Sequence, residues 1–227
     1  MSAVEALGRL AELAEDQWGI VTRAQAKQLD VPATTLARLA SHDGALERVA
    51  HGVYRLRGVA PVSLPDLRVA WMQLSPGTLA WERTEQEGVV SHRSAAVLLG
   101  LGDLTADRHE FTVPHRQQTR RRDVRLHRQP LGADEWTRSA GDLLPYTRAA
   151  RLVADLLMDN EEPSAVAEAM VDALDRQLEN PASMASALSP FATKFDLAAG
   201  DGVGLLTRLT RAAGSDPAAY LSRTGQS

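Results

Sequence analysis

A proline that closes one short helix and opens the next, with a hairpin close behind, constrains this chain more than any other feature. The stretch runs from Trp18 to Leu56. Thr22 is placed to cap a first helix carrying Ala24, Ala26 and Leu29. Asp30-Val31-Pro32 forms the turn, since proline cannot continue a helix but suits the first turn of a new one. A second helix is expected over Ala33 to Ser41, stopped by Asp43-Gly44. Leu46 to Val49 and Val53 to Leu56 then read as two strands joined by Ala50-His51-Gly52, a glycine-containing connection suited to a hairpin. Helix, turn, helix and hairpin together outline a winged helix-turn-helix, a fold whose second helix enters the major groove of DNA.

At about 100° per residue, Ala33, Leu36, Leu39 and Ala40 share one side of the second helix and are expected to pack inward. Thr34, Arg38 and Ser41 fall opposite, flanked by Thr35 and His42. These are the sizes and chemistries that approach bases and phosphates, and Arg38 alone among them can make a bidentate contact to guanine. In the hairpin, His51 sits at the tip, with Arg48 and Arg55 on the strands, placed to meet the sugar-phosphate backbone. The competing reading is a trihelical head used only for packing or dimerisation.

Charge is spread unevenly. The formal net charge is −4, yet residues 1–60 carry seven Lys+Arg against seven Asp+Glu, residues 61–130 ten against eight, and residues 131–227 eight against fourteen. A neutral head gains little from long-range attraction to DNA, which favours dimeric or cooperative binding. With no cysteine there is neither a disulfide nor a thiolate metal site. No apolar run approaches the ~20 residues of a membrane span and no leader pattern opens the chain, so a cytoplasmic protein with no membrane partner is expected. At 227 residues the chain can hold a small domain and a medium one.

Residues 3–16 read as an amphipathic helix with Val4, Leu7, Leu10, Ala11 and Ala14 inward. Arg57 to Pro61 reads as a joint, giving a winged domain over 1–58 and a second domain over 59–227, with a small sheet around 89–146 and helices over 147–223. Within the second domain, helices are expected through Leu74, over Thr78 to Arg83, and over Ser91 to Leu101, where Ser91 caps and Gly100 closes. Glu110–Val113 and Val124–Leu126 alternate like two paired strands, and Leu143–Tyr146 is a further short strand. Thr147 is expected to cap a helix through Met158, followed by helices over 163–178, 184–195 and 201–213, with a short one near Asp216-Pro217. The whole is an α+β fold, mostly helical.

Three features invite chemistry. Ser91 beside His92 suggests a hydrolase, but neighbours on a helix diverge by about 100° and no orienting acid or glycine elbow is adjacent. Arg116, Arg120, Arg121, Arg122, Arg125 and Arg128, expected on a hairpin, could clamp phosphates of DNA or RNA or an acidic protein surface. No aromatic residue is interleaved, which speaks against stacking on single-stranded bases. Asp155, Asp159, Glu161, Glu162, Glu168, Asp172, Asp175 and Glu179 are expected on solvent faces, available to a basic partner. The segment Gly200 to Gly204 has no preceding strand and no Gly-Lys-Ser/Thr, so it reads as a turn into a helix and not as a phosphate loop.

Over nearly its whole length the chain resembles the AbiEi family of antitoxins from type IV toxin–antitoxin systems. The likeness is carried by LERVAHGVYRLRG, VVSHRSAAVLLGLGDL, EFTVPHRQQTRRRDVRLHR, LLPYTRAARLVADLL and AAGDGVGLLTRL, in that order. The resemblance implies a winged helix-turn-helix that represses its own operon and a C-terminal antitoxin domain acting against a nucleotidyltransferase-like toxin. By the same resemblance Thr34, Thr35 and Arg38 would read operator DNA, supported by Arg48, His51 and Arg55; the neutral charge of the head is what points to a homodimer on DNA. Some proteins with this N-terminal arrangement continue into a metal-dependent nuclease needing Glu-x-Lys; the two lysines here, Lys27 and Lys194, lie in no such context. The six histidines show no ligand spacing. The expectation is therefore a non-enzymatic protein with no cofactor and no metal. The alternative is a freestanding winged-helix regulator whose larger domain binds a ligand or dimerises.

Overall fold

The computed structural model describes residues 1–221. The chain adopts an α+β, mostly helical fold divided into two compact units. The first comprises residues 1–88 and 139–144, and the second residues 89–138 with 145 onward. The joint expected at Arg57–Pro61 thus lies inside the first unit, and the helix after it packs there. The helical stretch expected to reach residue 223 runs at its end outside the described residues.

The first unit opens with α1 (Ala3–Glu15), capped by Ser2, whose side chain accepts from the Glu5 amide. Ala6, Leu10 and Ala14 are its buried line, while Val4, expected inward, is 83% exposed because it lies one position off that line. A strand the alternation did not reveal, β1 (Ile20–Thr22), follows and is wholly buried. Next come α2 (Arg23–Gln28), with Thr22 and Gln25 forming a capping box, and α3 (Ala33–Leu39). The wing is β2 (Leu46–Ala50) and β3 (Val53–Leu56). Strand β3 lies between β1 and β2 in an antiparallel sheet, with a bulge between Arg48 and Ala50. Leu10, Ala14, Val21, Ala26, Leu36, Leu39 and Leu46 share one core.

Polar burial finishes this unit. Helix α4 (Pro65–Leu74) buries Trp71, whose Nε1 donates to the Gly88 carbonyl at 2.7 Å. Arg83, 2% exposed, lies over the Trp71 ring and donates to the Trp71, Met72 and Ser75 carbonyls, closing the C-terminal end of α4. Burial lowers its guanidinium to about 10. The helix expected over Thr78–Arg83 is instead a run of turns. Its backbone serves other partners: Gln17 and Gln25, both fully buried, bond each other, accept the Ala80 amide and donate to the Thr78 carbonyl. Arg68 bonds both carboxylate oxygens of Asp142 at 2.7 Å and lies over the Trp18 ring, which fastens residues 139–144 to this unit.

The second unit is built on a five-stranded sheet. Its strands are β4 (Val89–Val90), β5 (His109–Val113), β6 (Val124–Arg128), β7 (Trp136–Arg138) and β8 (Pro145–Thr147), in the order β6-β5-β4-β8-β7. Strands β5 and β6 pair in parallel, correcting the expected hairpin: residues 114–123 cross from the end of one to the start of the other. β7 pairs antiparallel with β8, and β8 pairs parallel with β4. Helix α5 (His92–Leu99) links β4 to β5 and ends at Gly100 in the left-handed region. Thr147 lies in β8, so α6 (Ala149–Met158) begins after Arg148 without a side-chain cap.

Helices α7 (Pro163–Asp175), α8 (Pro181–Leu188) and α9 (Gly202–Ala212) pack with α6, burying Leu152, Leu156, Val166, Met170, Met184, Leu188, Leu205 and Leu209. A 3₁₀ segment, Ser189–Phe195, replaces the second half of the helix expected over 184–195. Gly202 lets α9 start against α8, since a Cβ there would meet the Ala185 carbonyl oxygen at 1.9 Å. Asp201 caps α9 through the Gly204 amide, as a turn into a helix requires. The last described element is α10 (Ala218–Leu221).

Asp155 departs from the expectation of a solvent-facing acid: it is 0% exposed on α6. Arg151 donates to one carboxylate oxygen at 2.8 Å, while the other has no hydrogen-bond partner. Burial raises the carboxyl from 3.8 to about 6, partly offset by Arg151. The folded state therefore holds this proton more tightly than the unfolded chain. The penalty for ionisation is felt above about pH 6 and relieved as pH falls toward about 4. Relative to Asp155→Asn, the natural protein should gain up to about 3 kcal/mol between neutral pH and about pH 4 in urea unfolding; a pH-independent difference would refute the assignment. In the first unit, Asp142→Ala should cost about 3–5 kcal/mol by stranding the Arg68 guanidinium, and Arg68→Met with Asp142→Leu should recover most of it in the same measurement.

Candidate nucleic-acid interface

Two leucines set the phase of α3. Leu36 and Leu39 are buried, and Thr35 is buried with them at 8% exposure. The inward arc thus runs from Thr35 through Leu39 to Leu36, leaving Ala33, Thr34, Ala37 and Arg38 exposed. Thr35, expected to flank the reading face, is removed from it by this burial, and Ala33, expected inward, lies outside. Thr34, Arg38 and Ser41 remain together at helical spacing, all exposed. His42 projects fully beyond the helix, its Nδ1 at 3.0 Å from an Asp43 carboxylate oxygen.

The wing is tied to the start of α2. The Arg23 amide donates to the Gly52 carbonyl at 2.8 Å, and Gly52 takes a φ of +71°, as the tight His51-Gly52 turn requires. Gln73 Nε2 donates to the His51 carbonyl at 2.8 Å. Arg48 is exposed, its guanidinium 3.3 Å from His51 Nδ1. Arg55 is half-buried and pairs with its cross-strand neighbour Glu47 at 3.1 Å, so its charge is partly satisfied.

Between α2, the start of α3 and the wing tip lies an open cleft of about 910 Å³. Its lining includes Arg23, Lys27, Asp30, Ala33, His51 and Gln73. Arg23 and Lys27 are exposed one helical turn apart on α2. Sequence reasoning passed over both, although their four-residue spacing after the Thr22 cap was the available signal. Arginine and lysine on α2, arginine on α3 and arginine beside the wing tip supply separated cations able to meet a phosphate backbone.

In the second unit the arginine-rich segment occupies the β5–β6 crossover and the strand after it. Arg116, Arg120, Arg122 and Arg128 are exposed, with no ion pair among the described residues. Arg121 pairs with Asp123, holding that carboxyl down at about 2. Arg125 makes a fork to Asp159 at 2.6 and 2.7 Å and lies 3.5 Å from Glu110. Two of the six expected contact residues therefore have internal carboxylate partners.

Ser91 is the residue before α5, as expected, but its side chain does not cap the helix. Glu110 on β5 takes that role, accepting the Arg93 amide at 3.1 Å. Ser91 Oγ meets His92 Nδ1 at 2.9 Å, and His92 adopts a φ of +52°. The His92 ring stacks on His127 of β6, with centroids 3.4 Å apart and planes 13° from parallel. Burial first, then the neighbouring His127, pushes His92 down to about 3. His92, Glu110 and His127 offer donor atoms within 4.8 Å of one another, a group their separation in sequence concealed.

The fold as a whole is shared with a solved structure. The crystal structure of the RV2827C protein from Mycobacterium tuberculosis matches over 98% of this chain and 81% of its own, with a TM-score of 0.55 and 18% sequence identity. A comparison with curated proteins gives no match. The family model described as a transcriptional regulator, AbiEi antitoxin, matches residues 9–57, from within α1 through the wing. Residues 9–57 of this chain are thus similar to the AbiEi antitoxin family of transcriptional regulators.

Proposed function

We propose that the chain is an autoregulating antitoxin: its winged head binds operator DNA, and its second unit neutralises a nucleotidyltransferase-like toxin. The observation that carries this reading is the exposed face of α3, where Thr34 and Arg38 stand over buried Leu36 and Leu39, with Ser41 exposed just past its end, within the matched region. In the proposed mechanism α3 lies in the major groove with Arg38 toward guanine. Lys27, Arg23 and Arg48 meet flanking phosphates, and His51 supports the wing. Because the head is neutral in formal charge, two copies on a two-fold operator would supply the affinity one lacks. Arg116, Arg120 and Arg122 of the crossover, with Arg128 at the end of β6, form the surface offered to the toxin or its nucleic-acid target. The second reading is a freestanding regulator, favoured by the confinement of the family match to residues 9–57. A toxin gene of that class beside this one, and rescue of growth on coexpression, separate the two.

Arg38→Ala should cost about 1–3 kcal/mol of specific operator binding in a gel-shift titration, and unchanged affinity would take α3 out of the groove. Lys27→Ala should weaken all sequences alike and lower the slope of log affinity against log salt by about 1. Reversal of Arg116, Arg120 and Arg122 to Glu should abolish protection from the toxin while operator binding persists. Loss of operator binding in that variant would instead make the crossover a DNA contact.

A further inference from the structure

The polar cluster at the start of α5 has the makings of a cation site. Strand register places it: Glu110 pairs with Arg125 and Thr112 with His127, so Glu110 and His127 lie on the same face of the sheet, two residues apart in register. The first residue of α5, His92, stacks against His127 there. The three side chains are all buried or nearly so, at 2% exposure for the His92 residue, 7% for the Glu110 side chain and 9% for that of His127.

We propose that His92, His127 and Glu110 bind one divalent transition-metal ion of the zinc class, through two imidazole nitrogens and one carboxylate oxygen. Two imidazoles and a carboxylate are a donor set such ions take, commonly with a fourth position left open. The surrounding groups orient the donor atoms. Ser91 Oγ engages His92 Nδ1 at 2.9 Å, which leaves Nε2 for a metal. The Arg93 amide engages one Glu110 oxygen, and the other, Oε1, lies 3.6 Å from His127 Nε2 and 3.5 Å from Arg125 Nη1. An ion there displaces the Arg125 contact, while Arg125 keeps its fork to Asp159. His127 Nε2 is buried with only the long 3.6 Å contact to Glu110 Oε1 and no contact at hydrogen-bond distance, a cost that a bound cation would remove. A polar pocket of about 260 Å³ reaches Glu110, lined also by Arg93, Arg108, Arg125, Asp159 and Glu161.

The stacking sets one condition. An ion lies near the plane of each imidazole that binds it, and two face-to-face rings 3.4 Å apart offer no point in both planes. Binding therefore turns one ring. His127 is the ring that turns, since its Nε2 has only the long contact to Glu110 while His92 is held by Ser91 at 2.9 Å. This site is independent of the reading given above for DNA and toxin.

The test is titration of the full chain, freed of metal by chelator dialysis, with zinc in competition with a chromophoric chelator. One equivalent should bind, with affinity reduced at least about 100-fold in His127→Gln and in Glu110→Gln. The exposed His115→Gln should match the natural chain. Should either variant fail to fold by circular dichroism, X-ray absorption of the zinc-loaded natural chain decides alone: two imidazole ligands at about 2.0–2.1 Å support the site. The absence of stoichiometric binding, equal affinity in folded variants, or a spectrum without an imidazole pair would overturn it.

Discussion

Seven residues cannot hold a helix in water by hydrogen bonding alone, because nucleation costs more than so few bonds return. Helix α3 stands because Leu36 and Leu39 are withdrawn from water against Leu10, Ala14, Val21, Ala26 and Leu46. Losing one such leucine side chain to alanine removes about 2–5 kcal/mol. The same burial decides which residues look outward. Everything α3 exposes is the complement of what the core takes in, so its packing and its outer face are one decision made at two leucines.

This is also where the sequence could and could not be read. The proline turn, the Thr22 cap and the glycine at the wing tip are local signals, and each lies where its chemistry places it. The phase of α3 is less local. Alanines at 33, 37 and 40 say little about orientation, and a stripe drawn through Ala33 and Ala40 excludes Thr35, which the core accepts. The direction of β6 against β5 is not written in either strand, since alternation is the same for parallel and antiparallel partners. Ligand spacing along the chain likewise missed the group of His92, Glu110 and His127, which exists only once β5 and β6 are in register. Asp155 escaped for a related reason: a charged residue in an acidic third looks solvated until the fold buries it beside Arg151.

Both units hide charge at a cost in desolvation and place a specific partner beside it. Arg83 is held by three carbonyls and an aromatic face, Arg68 by a carboxylate fork and Trp18, and Asp155 by Arg151. Such groups add little net stability compared with apolar residues of the same volume. What they do is penalise any arrangement in which the partner is missing. Gln17 and Gln25 act alike in the head, where two amides bonded to one another fix how β1, α2 and the turns after α4 come together.

The fork between Arg68 and Asp142 bears on how the molecule can be divided. Residues 139–144 return to the first unit from the loop between β7 and β8, so no single cut in the chain releases that unit intact. A fragment ending near residue 88 carries every residue of the winged head yet leaves the Arg68 guanidinium without its counter-ion. Such a piece is a weaker and more open body than the head within the whole protein. Limited proteolysis within residues 139–144 would sever the tether while sparing both cores. Whatever strips that short loop from its place loosens the winged head without touching a single residue of α3.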